Sequence, residues 1–276
     1  MSTPIFSFMC EARTKSKELI WLLRHIKHSL SIKRNLSNRK REILSWQRFW
    51  KSYHAYKRLS SVGKKQPWLE CFYPCLGEDT SETKVEPIYF YQDTWAFEEI
   101  VKASPSCHVD VGSHHKLVAF LSKIFPVTMI DIRPLSLPMK TLKFQKGSIL
   151  NLPFEDESVE SLSSLCVVEH IGLGRYGDRL DPDGSEKAIA ELCRVISPGG
   201  HLYVSVPIDD CNKLFFNAHR AFEEKYFEEL LQPLKIIDKK YISGETFMDV
   251  KPDGFSIALY HVVRVSCTPG GSHGNG

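Results

Sequence analysis

The sequence predicts an α/β fold built on a mostly parallel sheet whose last two strands pair antiparallel. Three observations predict it. Short apolar strand candidates alternate with helix-spaced segments from about residue 107 to 208. The first two of those strands close on Gly112 and Asp131, residue types that end a strand in a ligand loop. Between the final strand candidates, 236–242 and 255–265, lies only a stretch rich in Gly, Asp and Pro, which calls for a hairpin at the sheet edge.

The elements follow in order. In 15–31, Leu19, Leu22, Leu23, Ile26 and Leu30 recur at three and four residues, the spacing of one helix face. A second helix is expected over 39–59, where Ile43, Trp46, Trp50 and Tyr53 form an apolar stripe that Phe49 and Tyr56 widen. Residues 60–90 carry Gly63, Pro67, Pro74, Gly77 and Pro87 and read as a linker with turns. Residues 91–103 suit a helix packing through Trp95, Phe97 and Ile100. Strands are expected at 109–111, 127–130, before Gly147, at 159–165 and at 201–206, with helices at 115–124, 185–196 and 220–231. The expected organisation is a basic helical extension (1–66), an α/β domain (67–267) and a flexible tail (268–276).

Hydrophobic residues make up 42% of the 276 residues and charged residues 25%, enough apolar material for a real core. The formal charge of +3 conceals an asymmetry. Residues 11–66 hold 16 basic and 3 acidic side chains, whereas 67–276 hold 20 basic and 30 acidic. A basic, aromatic arm of this kind packs on protein, lies on an anionic membrane, or meets nucleic acid. Peripheral membrane contact through 15–59 is one expectation. Nucleic acid is disfavoured, because the body is acidic. The eight cysteines are scattered without a CxxC pair, which predicts free thiols and a cytoplasmic setting, peripheral at a membrane if the arm binds one. The sequence has no run of 18 apolar residues, and the histidines at 108, 114 and 115 make no metal-ligand register, so no metal is expected.

In an open α/β sheet, ligands bind beyond the carboxyl ends of the strands. The loops beginning at Gly112, Asp131, Gly147 and about Cys166 would meet there. Asp131 stands 21 residues after Asp110, a place where a carboxylate accepts both hydroxyls of an adenosine ribose. The first loop, HVDVGSHHK, is neither GxGxxG nor a P-loop, which disfavours NAD and a phosphate cradle.

Residues 107–208 resemble the core of class I S-adenosylmethionine-dependent methyltransferases, through LPFEDESVESL, VVEHI and RVISPGG in order. More narrowly, 67–225 resembles the DUF268 family, through RYGDRLDPDG and NAHR above all. The resemblance implies a Rossmann-like seven-stranded sheet with a reversed C-terminal hairpin, and S-adenosylmethionine as cofactor. It places Asp110, Gly112 and Ser113 against the methionine end, Asp131 on the ribose, Ser148 beside adenine in a turn that lacks the usual aspartate, and Cys166 near the methyl group. Ser113 and His114 replace the usual glycine continuation after Gly112.

Transfer of a methyl group to a hydroxyl needs aligned reactants and a base for the departing proton. His170, after the fourth strand, and His219, in Asn217-Ala-His-Arg220, are the candidates. The polar loop 172–184 offers Arg175, Tyr176 and Asp178 to a sugar or carboxylate, with Arg220 beside them. The expected function is methylation, most simply O-methylation, of a small-molecule or saccharide acceptor. A noncatalytic adaptor on the same fold and a nucleic-acid methyltransferase are the alternatives.

Overall fold

The computed structural model describes residues 36–59, 73–133, 135 and 137–266. The helix expected over 15–31 and the tail 268–276 lie outside the described residues. The chain divides into two compact units, Met1–Lys84 and Val85–Gly276.

In the first unit, helix α1 spans Leu36–Leu59. Its aromatic stripe is continuous: Trp46–Phe49, Phe49–Trp50 and Trp50–Tyr53 meet edge-on at ring separations of 5.4–5.7 Å. Tyr53 is buried, whereas Ile43, Leu44, Tyr56 and Leu59 are exposed. Arg48 forms an ion pair with Asp79. Among the described residues no helix is long and apolar enough to cross a membrane.

The second unit opens with α2 (Pro87–Ala103). Its start is well specified: Pro87 sits in the first turn, where its missing N–H costs nothing, and the Glu86 carboxylate accepts the Tyr89 N–H at 2.7 Å. Strand β1 (His108–Val111) leads to α3 (His115–Leu121) and β2 (Val127–Asp131), followed by β3 (Leu142–Lys146) and β4 (Val159–Leu165). After a 3₁₀ turn at Val168–His170 come α4 (Gly184–Val195) and the long β5 (Ile196–Asp209). The chain closes with β6 (Lys213–Phe215), β7 (His219–Glu223), α5 (Glu224–Leu230), β8 (Lys235–Ser243), β9 (Thr246–Met248) and β10 (Ser256–Val263).

The sheet has ten strands rather than the expected seven, in the order β3-β2-β1-β4-β5-β10-β8-β9, with β6 and β7 branching from β5. Strands β1 to β5 are parallel neighbours, Asp110 lying opposite Met129 on one side and Ser163 on the other. β10 runs antiparallel to both β5 and β8. It is therefore inserted between them rather than placed at the edge, and the edge belongs to β9. The helix expected over 220–231 is shorter. His219–Glu223 is a strand because it pairs with both β5 and β6, and this tertiary pairing overrides helical spacing.

Helices cover both faces. Ile189, Leu192 and Phe227 pack on one side with Val204 and Tyr260. Trp95, Ile100, Leu117 and Leu121 pack on the other with Tyr203 and Leu259. Each such fully buried aliphatic side chain contributes about 1.5–3 kcal/mol. β1 is buried on both sides, which makes it a rigid platform for the loop that follows it.

Candidate functional site

Strand order reverses between β1 and β4, and the loops after β1, β2, β3 and β4 diverge there. Two adjoining cavities open at this edge, of about 580 and 350 Å³. They share Gly112, Asp131, Arg133, Cys166, His170 and Tyr176. The smaller runs from Gly112 past Asp131 to Ser148, Ile149 and Leu150. The larger runs toward His114, Glu169, His219 and Phe255.

Gly112 has φ +73°, and its N–H donates to the Ile130 carbonyl at 3.0 Å. A Cβ there would meet the Val167 methyls at 3.2–3.3 Å, so glycine is required by backbone and by space. Below it lies a buried polar chain. Ser161 donates to His108 Nδ1 (2.8 Å), His108 Nε2–H donates to Ser163 Oγ (2.9 Å), and Ser163 donates to Asp110 Oδ2 (2.6 Å). Ser163 has one proton and gives it to Asp110, which fixes the histidine tautomer. Burial drives His108 down to about 3, so it is neutral, and pushes Asp110 up to about 6 against its bonds from Ser113 and Ser163.

Asp110 lines neither cavity and is fully buried. Its Oδ1 accepts the Ser113 N–H (3.0 Å), so it shapes the loop from below. Ser113 does reach the larger cavity, while its hydroxyl accepts the Leu165 N–H at 3.0 Å and ties the β1 loop to β4. Asp131 lines both cavities; its Oδ1 accepts the Arg133 N–H at 2.8 Å, and among the described residues Oδ2 takes no hydrogen bond. Ser148 lines the smaller cavity with its hydroxyl accepting the Leu150 N–H (3.2 Å).

Cys166 borders both cavities in a left-handed conformation, φ +51°. Its thiol donates to Gln92 Oε1 at 3.0 Å, and burial pushes its pKa well up, so it stays protonated. Gln92 is fully buried in α2 and also receives the Ser205 hydroxyl at 2.6 Å.

His170 and His219 both line the larger cavity. His170 Nδ1 lies 2.6 Å from the Ala218 carbonyl and must be the protonated nitrogen, which leaves Nε2 with its lone pair. Burial lowers His170 to about 4, the Ala218 bond opposing the shift and the Arg175 charge adding to it. His219 is lowered by burial and by Arg175, and packs between Phe215 and Phe255 at 4.8 and 6.0 Å.

The 172–184 loop separates into wall and scaffold. Tyr176 lines both cavities, its ring flanked by the guanidinium groups of Arg133 (4.3 Å) and Arg175 (5.1 Å). Arg175 faces the larger cavity and donates to the Ala218 carbonyl at 3.0 Å. Asp178 borders the smaller cavity, but its carboxylate accepts the N–H groups of Gly172, Tyr176 and Gly174, so it holds the loop on itself. Arg220 lies outside both cavities and donates to Ile171 O (2.6 Å), Ser185 Oγ (2.9 Å), Asp181 O (3.2 Å) and Pro182 O (3.0 Å). It clamps the loop.

The sequence reading passed over three wall residues: Tyr89, Arg133 and Glu169. Glu169 stood in plain view in VVEHI, but its burial depends on packing that spacing does not report. Among the described residues no three His, Cys, Asp or Glu side chains converge as a metal set.

The family described as "Caenorhabditis protein of unknown function, DUF268" matches residues 151–251. No curated protein matches the chain in sequence. Among solved structures, the [4+2]-cyclase SpnF is similar at 14% identity and a TM-score of 0.48, over 63% of this chain and 82% of that one. A putative sarcosine dimethylglycine methyltransferase from Galdieria sulphuraria gives 14% and 0.48, over 64% and 86%. The 1,6-didemethyltoxoflavin-N1-methyltransferase of Burkholderia thailandensis, solved with 1,6-didemethyltoxoflavin and S-adenosylhomocysteine, gives 15% and 0.44, over 68% and 94%.

Proposed function

We propose that this chain, whose residues 151–251 match the DUF268 family, is an S-adenosylmethionine-dependent methyltransferase. Its acceptor is a small molecule or saccharide, and the acceptor atom is a hydroxyl oxygen. The observation that carries the reading is the pair of joined cavities at the strand-order reversal, with Asp131 on their shared wall.

The residues present fit the cofactor. Asp131 has an oxygen for ribose hydroxyls, and Ile149 and Leu150 give the far end of the smaller cavity an apolar lining for a base. Gly112 lets the main chain approach closely, and Ser113 and Cys166 line the larger cavity. Ser148 stands beside the base. When bound, the cofactor supplies an electrophilic methyl group. The chain aligns an acceptor in the larger cavity with Tyr176 and Arg175, and His170 keeps the lone pair of Nε2 on the same wall. His219 borders the same space and orients the acceptor.

The test is transfer itself. Purified protein with methyl-labelled S-adenosylmethionine and a panel of sugars, phenols and lipid-linked saccharides should label at least one hydroxyl-bearing acceptor. Cofactor binding with no transfer to any class would favour an adaptor on the same fold. The basic arm is assigned to an anionic surface that brings enzyme and acceptor together, in a cytoplasmic setting.

A further inference from the structure

One group in the cavity wall is left unexplained by this reading. Glu169 lines the larger cavity yet is 2% exposed, and its Oε2 has no hydrogen-bond partner. An unpartnered buried carboxyl oxygen is costly, so its retention in the wall of a cavity points to a ligand that satisfies it. Its other oxygen, Oε1, lies 3.6 Å from His170 Nε2. Because Nδ1 of His170 is committed to the Ala218 carbonyl, the side facing Glu169 is the lone pair.

We propose that Glu169 is the proton acceptor of the reaction, its free Oε2 taking the hydrogen of the acceptor hydroxyl beside the methyl donor. The proposal rests on the methyltransferase reading above and deepens it. The acceptor's O–H bond breaks as its oxygen bonds the methyl carbon. The O–H electron pair stays on oxygen, the S–CH₃ pair leaves with sulfur, and the proton ends on Glu169, turning a carboxylate into a neutral acid. A buried carboxylate in this position also selects the acceptor. It welcomes a neutral hydroxyl and repels a carboxylate or phosphate, since Arg175 already donates to Ala218 O.

The groups around Glu169 set its proton affinity. Burial raises it to about 8, opposed by its own backbone N–H, the Cys166 thiol and the Arg175 guanidinium. His170, His219 and Tyr176 complete the titratable wall.

The test needs no acceptor. S-adenosylmethionine carries a sulfonium charge and S-adenosylhomocysteine does not, and that charge also acidifies the donor's own α-amino group, so Glu169→Gln supplies the baseline. The ratio of their affinities, measured calorimetrically from pH 6 to 9.5, should rise roughly threefold to tenfold more in the wild type than in Glu169→Gln as Glu169 ionises. A ratio that is flat in both proteins, or rises equally in both, would overturn the assignment. If neither compound binds at any pH, the cofactor reading falls first and takes the proposal with it. Should Glu169→Gln fail to fold, ¹³C-glutamate labelling of the wild type gives a second reading. One carboxyl midpoint should move down with S-adenosylmethionine and not with S-adenosylhomocysteine; no such difference contradicts the proposal.

Discussion

His170 Nδ1 donates to the Ala218 carbonyl at 2.6 Å, and that bond, with the one from Arg175 to the same carbonyl, joins the loop after β4 to the turn before β7. It sets the tautomer of the candidate base and aims the ring into the larger cavity. Glu169, one residue earlier, lines the same cavity and keeps a buried carboxyl oxygen without a hydrogen-bond partner.

The first prediction concerns that tautomer. ¹⁵N NMR of the histidines should show His170 protonated at Nδ1 and bare at Nε2 at pH 7. Burial favours the neutral ring, so its midpoint should lie near 4 rather than 6.5. A midpoint at 6.5 or above would contradict the burial and the bond together.

The second is a stability effect with a definite sign. Glu169 is raised to about 8 when folded and sits near 4.5 when unfolded, so the folded state holds its proton more tightly. Its contribution is greatest below about pH 4.5 and is lost as pH rises through 8. Glu169→Gln should therefore gain several degrees in Tm relative to wild type at pH 9 and little or nothing at pH 5. Thermal unfolding at the two pH values decides it.

Arg220→Ala tests the clamp. It removes donors from three loop carbonyls and the Ser185 hydroxyl, and should cost about 2–4 kcal/mol in urea unfolding. Arg220→Lys should recover less than half, because one ammonium cannot reproduce the planar fork. A neutral alanine variant would return Arg220 to the acceptor side of the site.

Gly112→Ala adds a Cβ at φ +73° and presses it on Val167. It should lose about 1–2 kcal/mol of stability and bind S-adenosylmethionine at least tenfold more weakly. Adding Val167→Ala relieves the contact but not the backbone strain, so recovery should be partial. Full recovery would mean that sterics alone require the glycine.

Much of this was legible in the chain because it is written in local spacing. The apolar runs of β1, β2 and β4, Gly112 at a strand end and Pro87 near a helix start all depend on near neighbours. The short strands β6, β7 and β9 were not legible, since His219–Glu223 becomes a strand only by pairing with Ile208–Asp209 and the Lys213–Phe215 segment. The site divides in the same way. Asp131, Tyr176, His170 and His219 reach the cavities, as residue type and position suggested. Asp110 and Arg220 lie outside these two cavities, bonded to neighbours distant in sequence that spacing does not report, Ser163 for one and Ile171 with Ser185 for the other. Glu169 was missed because its importance lies in a hydrogen bond it does not make.

The central claim is that the joined cavities hold S-adenosylmethionine on Asp131. Calorimetric titration with S-adenosylmethionine and S-adenosylhomocysteine, with NAD as control and Asp131→Ala as the paired variant, tests it most directly. The account predicts micromolar binding of the sulfur compounds, no binding of NAD, and a loss of at least tenfold in the variant. A folded protein that binds neither sulfur compound, or binds them equally well without the Asp131 carboxylate, would contradict it.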